Sequence, residues 1–245
     1  MAKTEVLYPE LFKIGWRRFN FPWCTGYSPK RYQRGLDLII HKYPKDLRPH
    51  RLQPILLFDI EANLHIKHLW RITMSQAVTL YGIVPEQYGT RKAKSVDIQA
   101  LNTILLYDLI QQKRISATSI FADLVSNYDL VVHSITPLSL QRVDVPKYPI
   151  ICTLTTLQNM SHSVRTAFGD SKYNYGGYTW EVPLNPPPQG MGERNGSSPA
   201  IWAIFSTPLL NCLRKAGHGA AFKCSISGLK TNLVGYCFID NSKIY

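Results

Sequence analysis

The sequence predicts an α+β fold with its strands clustered late in the chain. Three observations carry this reading. Apolar residues recur at helical spacing in several stretches, short β-rich segments gather after residue 119, and 45% of the 245 residues are hydrophobic, enough for a buried core. Residues 63–80 read as a helix, with Asn63 as a cap and Leu64, Trp70, Met74, Ala77 and Val78 broadly at helical spacing. A second helix is predicted over 97–112, capped by Ser95, because Ile98, Leu101, Leu105 and Leu109 share one face. Residues 119–122 form a short strand that delivers Asp123. A helix over 128–140 follows, bent or restarted at Pro137.

Residues 148–161 are expected to be helical, and 163–183 to form a hairpin turning near 174–177. Ser198 and Pro199 suit a helix start, since Ser accepts a backbone N–H bond and Pro fits the first turn; this helix runs to Lys215 and stops at Gly217, with Pro208 kinking it. The last hairpin pairs 221–226 with 231–239 around Ser227 and Gly228. Two segments divide the chain, 1–118 and 119–245.

Charge separates those segments. Lys and Arg number 28 against 16 Asp and Glu, a net charge of +12, and 18 of the 28 basic residues lie in 1–118. In 1–51 they alternate with Trp16, Phe19, Phe21, Trp23, Tyr27, Tyr32 and Tyr43. Cations beside stackable rings suit a nucleic-acid groove, and equally a solvated basic surface over ordinary core aromatics. The five cysteines are scattered without a CxxC pair, which predicts buried thiols in an intracellular protein, nuclear or cytoplasmic, rather than a disulfide scaffold or zinc site. Without a long apolar run, no membrane partner is expected.

Two acidic residues stand out because each ends a hydrophobic strand: Asp123 after Ile120-Phe121-Ala122, and Asp240 after Tyr236-Cys237-Phe238-Ile239. Carboxylates at the ends of neighbouring strands can share divalent metal, although a strand-end Asp more often begins a turn. Their context resembles the reverse transcriptase domain of non-LTR retroelements over about 27–245. Phe121-Ala122-Asp123 with Tyr128 and Asp129 resembles the first catalytic-aspartate motif, and Gln189-Gly190 before Ser198-Pro199 the Gln-Gly motif. Phe238-Ile239-Asp240-Asn241 stands where the family has aromatic-x-Asp-Asp. Gln53-Pro54-Ile55 and Gln87-Tyr88-Gly89-Thr90-Arg91-Lys92 resemble two fingers motifs.

The resemblance implies the fingers and palm of a right-hand polymerase, with an antiparallel palm sheet and helices on one face; the thumb that the family carries is expected to be missing. It implies that Asp123 and Asp240 hold two Mg²⁺ ions, with Mn²⁺ as a substitute, and that Asn241 completes the catalytic set. Tyr128, Gln189, Gly190, Arg51 and Gln53 would border the nucleotide, and Arg91, Lys92 and Lys94 would contact template. The implied partners are an RNA or DNA template-primer and deoxynucleoside triphosphates. Asp129 and His133 are read as structural, as is the pair His65 and His68.

The sequence departs from the family pattern at three places. Asn241 replaces the second aspartate, and Gln53 replaces an arginine whose fork would grip a triphosphate. Only five residues follow Asp240, so the strand after the Asp-Asn turn is expected to be barely present. These departures leave open a non-catalytic nucleic-acid-binding remnant as the alternative to a polymerase.

Overall fold

The computed structural model describes residues 8–41, 48, 52–123, 128–176, 190–191, 196–223, 227–238 and 241–244. Helix α1 (Pro9–Thr25) begins with Pro9 and Glu10 in its first turn and ends at Gly26, whose left-handed backbone (φ 76°) lets its N–H reach the Pro22 carbonyl. Residues 9–25 of the basic, aromatic N-terminal stretch are therefore a helix, which the sequence did not predict. Phe12, Trp16, Phe19 and Trp23 recur at steps of four, three and four, so they form one stripe of neighbouring rings.

A 3-10 turn, Lys30–Gln33, leads into β1 (Arg34–His41), which pairs antiparallel with β2 (Leu52–Phe58). Helix α2 (Ile60–Thr79) is capped by Asp59, whose carboxylate accepts from the Glu61 and Ala62 N–H groups at 2.9 and 3.2 Å; Asn63 is inside the helix and is not the cap. Helix α3 (Val96–Lys113) has the predicted Ser95 cap, but Leu106 is its buried residue. Ile98, Leu101 and Leu105 of the expected face are exposed.

β3 (Ile120–Asp123) stands as expected. The helix predicted over 128–140 is instead a set of turns followed by the short α4 (Thr136–Gln141), because Pro137 lies in the first turn of a new helix. α5 (Lys147–Gln158) is followed by β4 (Ser161–Thr166), β5 (Gly169–Asp170) and β6 (Tyr175–Gly176). The β4–β5 turn falls at Ala167 and Phe168, ahead of the expected position. α6 (Ser198–Lys215) has its predicted bounds, and it continues through Pro208. Proline lacks the N–H that would bond the Ile204 carbonyl, and Arg142 Nη2 supplies a donor there at 3.4 Å while also reaching the Gly82 carbonyl at 2.7 Å.

The last hairpin splits at Val234. β7 (Ala220–Lys223) pairs with β8 (Lys230–Leu233), whereas β9 (Gly235–Phe238) joins a different sheet with β10 (Asn241–Ile244). β10 was expected to be barely present, yet it is the centre of an antiparallel sheet ordered β3-β10-β9. Four residues suffice because both edges of the strand are paired. The larger sheet, β2-β1-β4-β5 with β6 also on β4, is mixed, since β1 and β4 run parallel. At its centre the buried Asp37 accepts from His162 Nδ1 at 3.0 Å and from the Tyr175 hydroxyl.

Helices α2, α5 and α6 enclose the main core through Ile66, Trp70, Met74, Leu154, Ile201 and Ile204, which Val131 and Met191 join from the turns. Cys152 and Cys237 are buried, but Cys24 and Cys212 are exposed, which corrects the expectation of buried thiols; Cys224 lies outside the described residues. Among the described residues no helix is long and apolar enough to cross a membrane.

Candidate active site

The three-stranded sheet brings the two acidic motifs together. In its register Asp123, the last residue of β3, stands opposite Asn241, the first residue of β10, and Asn241 is in turn opposite Phe238 of β9. The expected neighbourhood of strand ends is thus met in the backbone of Asp123 and Asn241. Asp240 itself, together with Gln189 and Arg51, lies outside the described residues, and Gln53 is described only as a β2 backbone position paired with Ile40. Among the described residues there is no group of three or more His, Cys, Asp or Glu that could hold a metal ion.

The Gln-Gly segment packs on the turn that follows β3. Gly190 donates its N–H to the Val131 carbonyl at 3.0 Å, and Met191 donates to the Tyr128 carbonyl at 2.8 Å. A Cβ at position 190 would stand 2.5 Å from the Asp129 Cα, so glycine is required by the approach of two backbones as well as by its φ of +93°. The buried His133 donates from Nε2 to the Gly190 carbonyl, and its role is therefore to hold this contact. Ser198 does not cap α6 from outside. It is the first helical residue, and its hydroxyl donates to the Met191 carbonyl at 3.3 Å.

Residues 86–94 dock beside β9. Cys237 donates to the Glu86 carbonyl at 2.9 Å, and Tyr88 donates to the Cys237 carbonyl at 2.7 Å, so this segment extends the β9 edge by an isolated parallel bridge. The Glu86 carboxylate, 3% exposed, pairs with Arg214 in the last turn of α6. Tyr88 packs edge-on to Tyr236 and accepts from Asn102 Nδ2 at 2.7 Å. Burial, followed by the nearby Tyr88 and Glu86, pushes the Tyr236 hydroxyl up to about 12; it stays protonated and donates to the Asn102 carbonyl.

The structure separates the predicted basic trio. Arg91 Nη1 reaches the carbonyls of Val84 and Pro85, both at 3.3 Å, and so braces the 84–91 loop. Lys94 sits 4.6 Å from the centre of the Tyr88 ring, a cation–π contact. Arg91 and Lys92 line a cavity of about 720 Å³, which α2 closes on the other side with Lys67 and Arg71. These two cations were not identified in the sequence reading. They sit on the exposed face of a helix, where charge is ordinary, and only the tertiary fold turns that face toward Arg91 and Lys92.

His65 and His68 belong to no metal-binding group of three or more among the described residues. The His65 ring lies between Phe19 and Trp23 at 4.4 and 4.3 Å, where burial, with a smaller contribution from His68, lowers its pKa to about 4.

Comparison with solved structures gives the class, an α+β fold of the kind seen in a telomerase. The chain is similar in structure to apo telomerase from Candida tropicalis truncated from its C-terminal domain, with a TM-score of 0.50 and 11% identity over 93% of this chain. It spans about half of the telomerase chain it matches, 48%. No family model and no curated protein matches the sequence.

Proposed function

We propose that this chain carries the reverse transcriptase core of a retroelement, adding deoxynucleotides to a primer on an RNA template. The observation that supports the reading is the β3-β10 register, which sets Asp123 opposite Asn241, the residue that follows Asp240 in sequence. The telomerase-like fold agrees with it at the level of architecture.

Asp123 and Asp240 carboxylates with an Asn241 amide oxygen are a set of hard oxygen donors, which suits Mg²⁺. Bound there, Mg²⁺ would supply charge stabilisation for phosphoryl transfer. The chain's own residues do the positioning. Tyr128 borders the sugar of the incoming nucleotide, and Gly190, held against the turn at 128–131, admits the close backbone approach that a side chain would block. Arg91 and Lys92 face phosphates across the cavity. Asn241 carries one negative charge fewer than the family's aspartate, and this favours a second reading in which the chain binds nucleic acid without extending it.

Primer extension on an RNA template with Mg²⁺ or Mn²⁺ tests the proposal against an Asp123→Ala variant. Extension by the parent chain that is lost in the variant is the expected result. Extension that survives the substitution overturns the assignment of Asp123, and absence of extension in both leaves the binding reading in its place.

A further inference from the structure

Helix α2 contributes two parallel rows to the 720 Å³ cavity. The outer row is Lys67, Arg71, Ser75 and Thr79, and the inner row is Trp70, Met74 and Val78. Residues four apart stack one turn above another, so the outer row is an exposed ladder of polar groups and the inner row an apolar floor. Across from them stand Thr90, Arg91 and Lys92. Among the described residues no Asp or Glu lines the cavity, and none pairs with Lys67, Arg71 or Lys92. The Trp70 side chain, 1% exposed, forms part of the apolar floor.

Cations on two walls with no carboxylate among the described residues to offset them fit a ligand that is anionic and rich in oxygen acceptors, which points to phosphate. Length decides which phosphate. From Lys67 to Thr79 the helix rises by about 18 Å at 1.5 Å per residue. That distance exceeds a lone triphosphate and suits several successive phosphates of a strand, with sugars and bases over the apolar row.

We propose that this trough holds the backbone of a single-stranded polynucleotide, with phosphates on Lys67, Arg71 and Lys92. The proposal rests on the nucleic-acid part of the reading above and not on its chemistry.

The test is the salt dependence of binding to a short, unstructured, fluorescein-labelled single strand, read by anisotropy. Lys67→Ala and Arg71→Ala are each expected to lower the slope of log K against log salt by about 0.7, the share of one phosphate contact on a single strand. Lys67→Arg keeps the slope, and so does Lys147→Ala on α5, outside the trough. Both alanine positions are exposed, and unchanged circular dichroism and melting establish that the variants fold.

A slope unchanged in the double alanine variant overturns the proposal, as does failure of the parent chain to bind the strand. Displacement of the strand by excess deoxynucleoside triphosphate in the parent chain, but not in the double variant, overturns the choice of strand over free nucleotide. Primer extension is read separately. Its absence alongside the lowered slopes removes the polymerase reading and leaves the trough. Its persistence alongside unchanged slopes does the reverse.

Discussion

Replacing Gly190 with alanine adds one carbon at the most crowded backbone contact near the candidate site. That Cβ would lie 2.5 Å from the Asp129 Cα and 2.8 Å from the Asp129 carbonyl oxygen, and neither atom can swing aside as a side chain would. Two costs therefore add. The left-handed backbone costs a non-glycine residue about 1–2 kcal/mol, and forcing apart two packed segments costs about 1–3 kcal/mol more.

Gly217 separates these costs, because its φ is +82° but a Cβ there meets nothing within 4 Å. Gly217→Ala is expected to lose about 1–2 kcal/mol and Gly190→Ala roughly 2–5 kcal/mol, measured by urea unfolding with linear extrapolation. Because Met191 and Tyr128 are hydrogen-bonded across the same contact, the displaced turn carries Tyr128 with it. Primer extension should then fall in Gly190→Ala even where the protein is fully folded. Equal losses in the two variants would refute the reasoning, since they would mean that the turn at 128–131 does not press on residue 190.

Acid sensitivity should trace to His65. Its imidazole protonates near 6.5 when unfolded and near 4 in the fold, so the unfolded chain binds the extra proton in between. Stability is then full above pH 6.5 and falls as pH drops toward 4, by up to about 3 kcal/mol. His65→Phe should remove that component, which urea melts at pH 7 and pH 5 would reveal as a smaller loss than in the parent. Cys152 is pushed up to about 11 by burial, against a smaller opposing effect of its Thr156 contact. Maleimide should label Cys24 and Cys212 in the folded chain and reach Cys152 only after unfolding, as mass spectrometry of the peptides would show. Asn241→Asp restores a carboxylate to the proposed metal set, so extension should reach half its maximum at lower Mg²⁺; an unchanged Mg²⁺ requirement would count against Asn241 as a ligand.

Local chemistry made several elements legible before any contact was known. The 3.6-residue spacing and Ser95 cap marked α3, Ser198-Pro199 and Gly217 bounded α6, and the β-rich run before Asp123 marked β3. The order of the motifs made Asp123, Asp240 and Gly190 candidates. Periodicity failed where burial decided the outcome. The apolar face of α3 reads as a core stripe, yet Leu101 and Leu105 are exposed because none of the described elements covers them, and β10 looked too short until pairing on both sides stabilised it.

Which charges face each other depended on tertiary structure alone. Lys67 and Arg71 are ordinary helix-surface cations in sequence, and they become one wall of a cavity only because the loop held to β9 carries Arg91 and Lys92 across from them. Asp123 and Asn241 are separated by more than a hundred residues, and a strand register joins them. Sequence carries the local preferences of each segment, whereas the pairing of distant segments follows from the apolar surface and backbone hydrogen bonds that only the closed fold can satisfy together.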